Sequence, residues 1–134
     1  MGSILKDIKE IEDKGIEHTE GQVGFFFTSC SVEMTLEDLT PLKKVLTEHK
    51  IIGEDDNVSL VKLEDPDSDI RAVCREYYVT PDLSERFIGV IKEADGYYKV
   101  WADGFYEKAG YLWSDCRVVC KDSEYVLLEF YICD

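Results

Sequence analysis

What most narrows the fold of this chain is a large negative charge combined with a high apolar content. Twenty-nine Asp and Glu stand against fifteen Lys and Arg, a net charge of −14 over 134 residues, while 45% of the residues are hydrophobic. A disordered acidic segment would lack that apolar fraction and the six Phe, eight Tyr and two Trp that accompany it. The chain must gather its apolar residues into a core and carry its carboxylates outside. Its length suits one domain, residues 1–134, with a core of its own. Such an acidic coat repels nucleic acid and anionic membrane and attracts basic partners.

The apolar pattern alternates between helical and extended periods. Ser3 can cap a helix with Ile4, Leu5, Ile8 and Ile11 on one stripe and Gly15 as its stop. Phe25-Phe26-Phe27-Thr28-Ser29-Cys30 reads as a central strand buried on both faces. Thr35 to Asp38 has capping-box form, and Pro41 sets the start of a helix capped by Thr40, with Leu42, Val45 and Leu46 facing the core. Val58–Leu63 and Ile70–Val79 read as two strands of an antiparallel hairpin around the acidic turn Glu64–Asp69. Thr80-Pro81-Asp82 opens a further helix with Leu83, Phe87, Val90, Ile91 and Ala94 at helical spacing, closed by Gly96. Tyr97–Trp101 reads as a strand, residues 102–113 fit either a loop or a broken helix, and 115–120 with 124–133 form a terminal hairpin. The expected fold is a single α+β domain: a ferredoxin-like βαββαβ middle, an N-terminal amphipathic helix and a C-terminal β-hairpin.

No apolar run reaches the roughly 18 to 20 residues that span a bilayer. Met1 to Asp7 lacks a basic stretch before an apolar block, and Lys6 replaces the Ser or Thr of a myristoylation signal. Five cysteines without a C-x-x-C pair argue against a disulfide framework and a zinc site, and suggest reduced thiols in a cytoplasmic protein.

Chemistry-bearing motifs are weak. Asp65, Asp67 and Asp69, with Glu76 eleven residues after the first, match the carboxylate spacing of a calcium loop, in which positions 1, 3, 5 and 12 supply oxygens. Ile70 stands where that loop needs glycine and Pro66 stiffens it, so a solvated acidic turn is the expectation. His18 and His49 belong to no metal-spaced cluster, Ser29-Cys30-Ser31 lacks a nucleophile turn, and Gly21-x-x-Gly24 precedes a strand instead of following one. No catalytic residue, metal or cofactor is nominated.

Two distributed features remain. Acids cluster at Glu54, Asp55 and Asp56 and again at Glu64, Asp65, Asp67 and Asp69, separated by about 20 Å if residues 58–63 form a strand. Aromatics cluster at Tyr97, Tyr98, Trp101, Phe105, Tyr106, Tyr111 and Trp113 among further acids. Carboxylates for steering and rings for anchoring suit an interface for a basic protein. The charge balance resembles that of proteins that neutralise a basic effector, such as toxin-immunity proteins facing a nuclease-type toxin or another nucleic-acid-binding protein. The expected function is therefore a non-catalytic binder, or inhibitor, using Glu54, Asp55, Asp56, Asp65, Asp67, Asp69, Tyr98, Trp101, Phe105 and Tyr106. The alternative is a small-molecule sensor with a cavity lined by Tyr98, Trp101 and Phe105.

Overall fold

The computed structural model describes residues 4–18, 26–49, 52–53, 55–77, 79, 81–102 and 113–132. In chain order these form α1 (Ile4–His18), β1 (Phe26–Val32), α2 (Thr40–Glu48), β2 (Val58–Lys62), α3 (Pro66–Glu76), α4 (Pro81–Lys92), β3 (Gly96–Ala102), β4 (Trp113–Lys121) and β5 (Glu124–Ile132). The architecture is α+β, with one antiparallel sheet in the order β1-β5-β4-β3-β2.

Side chains alternate across this sheet, so the central strands β3, β4 and β5 feed two cores. Tyr97, Val119, Val126, Leu128 and Phe130 pack with α1, α3 and α4 through Ile8, Ile70, Tyr77, Phe87 and Ile91. Val32, Val100, Cys116, Val118 and Leu127 face the other way, where α2 contributes Leu42 and Leu46. Burial of each such side chain contributes roughly 1.5–3 kcal/mol, which is what holds a nine-residue helix like α2 in place. The α1 stripe of Ile4, Ile8 and Ile11 is buried as its spacing requires, although the helix continues past Gly15 to His18.

The expected strand over 70–79 is instead α3, so the βαββαβ succession gives way to a β3-β4-β5 meander flanked by β2 and β1. The physical reason lies in Asp65-Pro66-Asp67. Asp65 caps α3 by accepting the Ser68 N–H at 3.2 Å, Pro66 occupies the first turn, and Asp67 and Asp69 complement the positive helix end. Ile70, Val73, Cys74 and Tyr77 then fall on one buried stripe. Gly96 opens β3 instead of closing α4, and a Cβ there would come within 2.7 Å of the Tyr98 hydroxyl.

The Phe-rich strand β1 lies at the edge of the sheet and not at its centre. Its outer side is covered by side chains of α1. Glu12 accepts the Ser29 N–H at 2.7 Å and the Ser29 hydroxyl at 2.9 Å, while the Lys9 ammonium donates to the Ser29 carbonyl. One lysine and one glutamate thus satisfy the backbone groups of Ser29, at the middle of the edge, that a neighbouring strand would otherwise take. At the other end of the meander, β4 and β5 are joined by Asp122 and Ser123, both at positive φ (52° and 67°), as a two-residue turn requires.

Candidate functional site

The face of the sheet that carries α1, α3 and α4 is not covered to its end. On β3 and β2 the residues that point to that face are Lys99 and Trp101, paired with Val61 and Ser59. All four are exposed; Trp101 is 59% accessible and Val61 50%. A tryptophan open to water near an exposed valine is an apolar spot, flanked by Lys62 and Lys99, on a surface richer in carboxylates than in cations.

Behind this spot, α3 covers a buried polar network. The Arg117 guanidinium, 5% exposed, grips Asp69 with Nε to Oδ2 at 2.7 Å and Nη2 to Oδ1 at 3.1 Å. Tyr97 donates its hydroxyl to Asp69 at 2.6 Å, and Tyr77 donates to Asp115 at 2.7 Å. Arg117 also reaches Asp115 at 3.4 Å and the Cys116 carbonyl at 3.1 Å. Burial pushes the Asp69 carboxyl up, but hydrogen bonds from Arg117 and Tyr97, with the Arg117 and Lys99 charges, hold it below its usual value. Glu76 is raised, by partial burial and by the charge of Asp115. Asp69 is therefore tied to Arg117 and Tyr97 and, at 22% exposure, is turned only partly outward.

The other sequence candidates separate. Asp55 is exposed, and Asp56 closes a tight turn by accepting the Gly53 N–H at 2.7 Å. Asp65 caps α3, and Asp67 lies in its first turn, 4.0 Å from Lys92 of α4. Asp55 and Asp56 thus precede the five residues of β2, and Glu64, Asp65 and Asp67 follow them, roughly 16 Å away by strand rise. Tyr98 lies on the α2 side of β3, half-buried, whereas Trp101 points to the opposite side. Those two rings cannot line one cavity, because they are three residues apart on a strand of period two. Open hollows of about 210 and 270 Å³ lie against α4, the first lined by Arg71, Arg75, Ser84 and Glu85, the second by Asp7, Arg86 and Gly89. Neither is lined by Tyr98 or Trp101. Glu54, Phe105 and Tyr106 lie outside the described residues.

On the α2 face, Glu129 of β5 is 8% exposed and is held by His49 Nδ1 at 2.9 and 3.0 Å and by the Thr28 hydroxyl at 3.2 Å. Cys30 shares that face; burial first, and then the Glu129 charge, push its thiol up and keep it protonated. The buried Cys74 thiol is pushed up to about 11, chiefly by burial. Among the described residues, no group of three or more His, Cys, Asp or Glu is arranged to hold a metal ion. Nor is any helix among them long and apolar enough to cross a membrane.

Sequence reasoning missed the Arg117, Glu129 and Lys9–Glu12 networks. The available signal was a lone charge inside an apolar strand: Arg117 between Cys116 and Val118, Glu129 between Leu128 and Phe130. Compared with known protein families and with curated proteins, the chain matches none.

Proposed function

We propose that this chain is a non-catalytic binding protein that captures a basic protein and neutralises it, as an inhibitor or immunity-like partner of a cationic effector does. The observation that carries this reading is Trp101, 59% exposed beside Val61 in a chain of net charge −14. Exposed tryptophan supplies the anchor of an interface, and the flanking carboxylates Asp55, Asp56, Asp65 and Asp67 supply long-range attraction. Nuclease-type toxins and other nucleic-acid-binding proteins present cationic surfaces of the kind this field selects. The thiols of Cys30, Cys74, Cys116 and Cys120 are unpaired with one another, which suits a reducing compartment such as the cytoplasm.

The test is affinity capture at low salt from the protein's own source, followed by kinetics on the captured protein. Trp101→Ala should speed dissociation roughly tenfold or more, as loss of a central aromatic anchor does. The triple variant Asp55→Asn, Asp56→Asn, Asp67→Asn should slow association and flatten its salt dependence. A captured basic protein that binds both variants with wild-type rates would refute the assignment.

A further inference from the structure

The two edges of the sheet are finished differently. At β1, Glu12 and Lys9 occupy the outward N–H and C=O of Ser29. At β2, the Leu63 N–H donates to the Tyr97 carbonyl at 3.1 Å, just past the last strand residue. Antiparallel pairs alternate between bonded and non-bonded positions, and Val61 pairs with Lys99 and Ser59 with Trp101. Ser59 and Val61 therefore bond inward to β3, and the backbone N–H and C=O of Val58, Leu60 and Lys62 point away from the sheet. Among the described residues, no hydrogen bond reaches the outward groups of Leu60 and Lys62.

We propose that the outer edge of β2 is a docking edge, on which an extended segment of the basic partner adds as a sixth strand. The proposal rests on the binding-protein reading above and specifies how the partner is held. Main-chain bonds to Leu60 and Lys62 supply the register, and alternate side chains of the added strand lie against Val61 on the Trp101 side. Charge complementarity selects the occupant. Asp55 and Asp56 lie before the strand and Glu64 and Asp65 after it, so a segment of about five to seven residues meets carboxylates at both ends. Lys62 and Lys99 lie between, so the partner's cations belong at the ends of the segment and β-branched residues at its middle. A second copy of this chain is the poorer occupant, since it brings −14 against −14.

The probe is the peptide acetyl-Lys-Arg-Val-Thr-Val-Arg-Lys-amide, with two further versions N-methylated on one or the other alternating set of amides. Binding is read at low salt by titration, and amide exchange is followed at Leu60 and Lys62. The expected result is that the parent binds and slows exchange of both amides roughly tenfold or more, as new hydrogen bonding does. One methylated set should lose binding roughly tenfold or more while the other keeps it, because only alternate amides of an added strand face β2. On the protein side, Lys62→Pro removes an outward donor that the β3 ladder does not use, and should abolish binding where Lys62→Thr does not. Wild-type amide exchange across β4 and β5 shows that the proline variant is folded.

If both methylated peptides bind like the parent, the edge is not the site and strand addition is wrong, while the basic-partner reading stands. If the parent peptide does not bind at low salt, strand addition falls, while the basic-partner reading is decided by the capture experiment above. A dimer of the free protein at low salt, with Leu60 and Lys62 already protected, would assign the edge to a second copy and overturn the proposed occupant.

Discussion

Replacing Asp69 by Asn should expose how much of the fold depends on one buried charge. Arg117 is 5% exposed and cannot shed its proton, so loss of its counter-ion leaves a cation with little access to water. Breaking a buried pair from one side costs about 3–5 kcal/mol. Two features reduce that figure: Asp115 remains 3.4 Å away, and the Asn oxygen still accepts one bond. The expectation for Asp69→Asn is a loss of about 2–4 kcal/mol. Arg117→Met should cost less, about 1–2 kcal/mol, because Asp69 is 22% exposed and keeps both water and the Tyr97 hydroxyl. The double variant should cost less than the sum, with a coupling of about 1.5 kcal/mol or more. Urea denaturation followed by far-ultraviolet circular dichroism at neutral pH measures all three. The pH dependence carries a sign. Asp69 has its carboxyl held below the usual value in the folded state, so its contribution is complete above the unfolded carboxylate pKa of about 3.9. It is lost as pH falls through the lower folded value. The gap between wild type and Asp69→Asn should thus be widest above about pH 5 and close in stronger acid. Strictly additive single costs, or a gap that widens on acidification, would refute the argument.

Two further perturbations test the frame of the sheet. Ser123 sits at φ 67° in the β4–β5 turn, a conformation that costs a non-glycine residue roughly 1 kcal/mol, so Ser123→Gly should stabilise by about that amount in thermal denaturation. A lower melting temperature for that variant would show that the turn is not strained. Glu12→Ala leaves the Ser29 N–H and hydroxyl without their acceptor and should cost about 1–3 kcal/mol. Because it also opens the β1 edge, light scattering on warming should rise earlier than in wild type, and unchanged scattering would show that α1 is not what protects that edge.

The parts of this fold that could be read from the chain are those written in local chemistry. Thr40-Pro41 and Pro81-Asp82 mark helix starts because a proline in the first turn loses no hydrogen bond. The same logic was present at Asp65-Pro66-Asp67, where apolar runs on either side and a calcium-like carboxylate spacing favoured a hairpin instead. The buried set Ile70, Val73, Cys74 and Tyr77, at intervals of three and four, is the helical period that decides against a strand. Composition made β1 apolar but could not position it, since two α1 side chains give an edge strand a protected outer side. The site was legible only in outline. Trp101 and the acids around β2 stand out in the sequence, but Tyr98 and Trp101 part company once the strand is drawn. Asp69 turns inward to a partner, Arg117, that is 48 residues away. Pairings at that range are set by topology and not by spacing.

An open strand edge and a strongly acidic surface make sense together. An unpaired edge invites pairing between copies, and among the described residues β2 is guarded by its short length and by Lys62. Net charge supplies the remaining protection, because every approach of one copy to another brings like charges together at the Asp55–Asp56 and Glu64–Asp65 ends of the strand. The same field that keeps copies apart draws a cationic segment in, so solubility and selectivity have one source. At about 1 M ionic strength the screening length falls to about 3 Å, and repulsion between copies is largely removed. Sedimentation velocity should then detect association in 1 M sodium chloride that is absent at low salt, and Lys62→Pro should suppress it by removing an edge donor. A wild-type protein that stays monomeric at both salt concentrations would mean that something other than charge guards β2, and the electrostatic account of its open edge would be wrong.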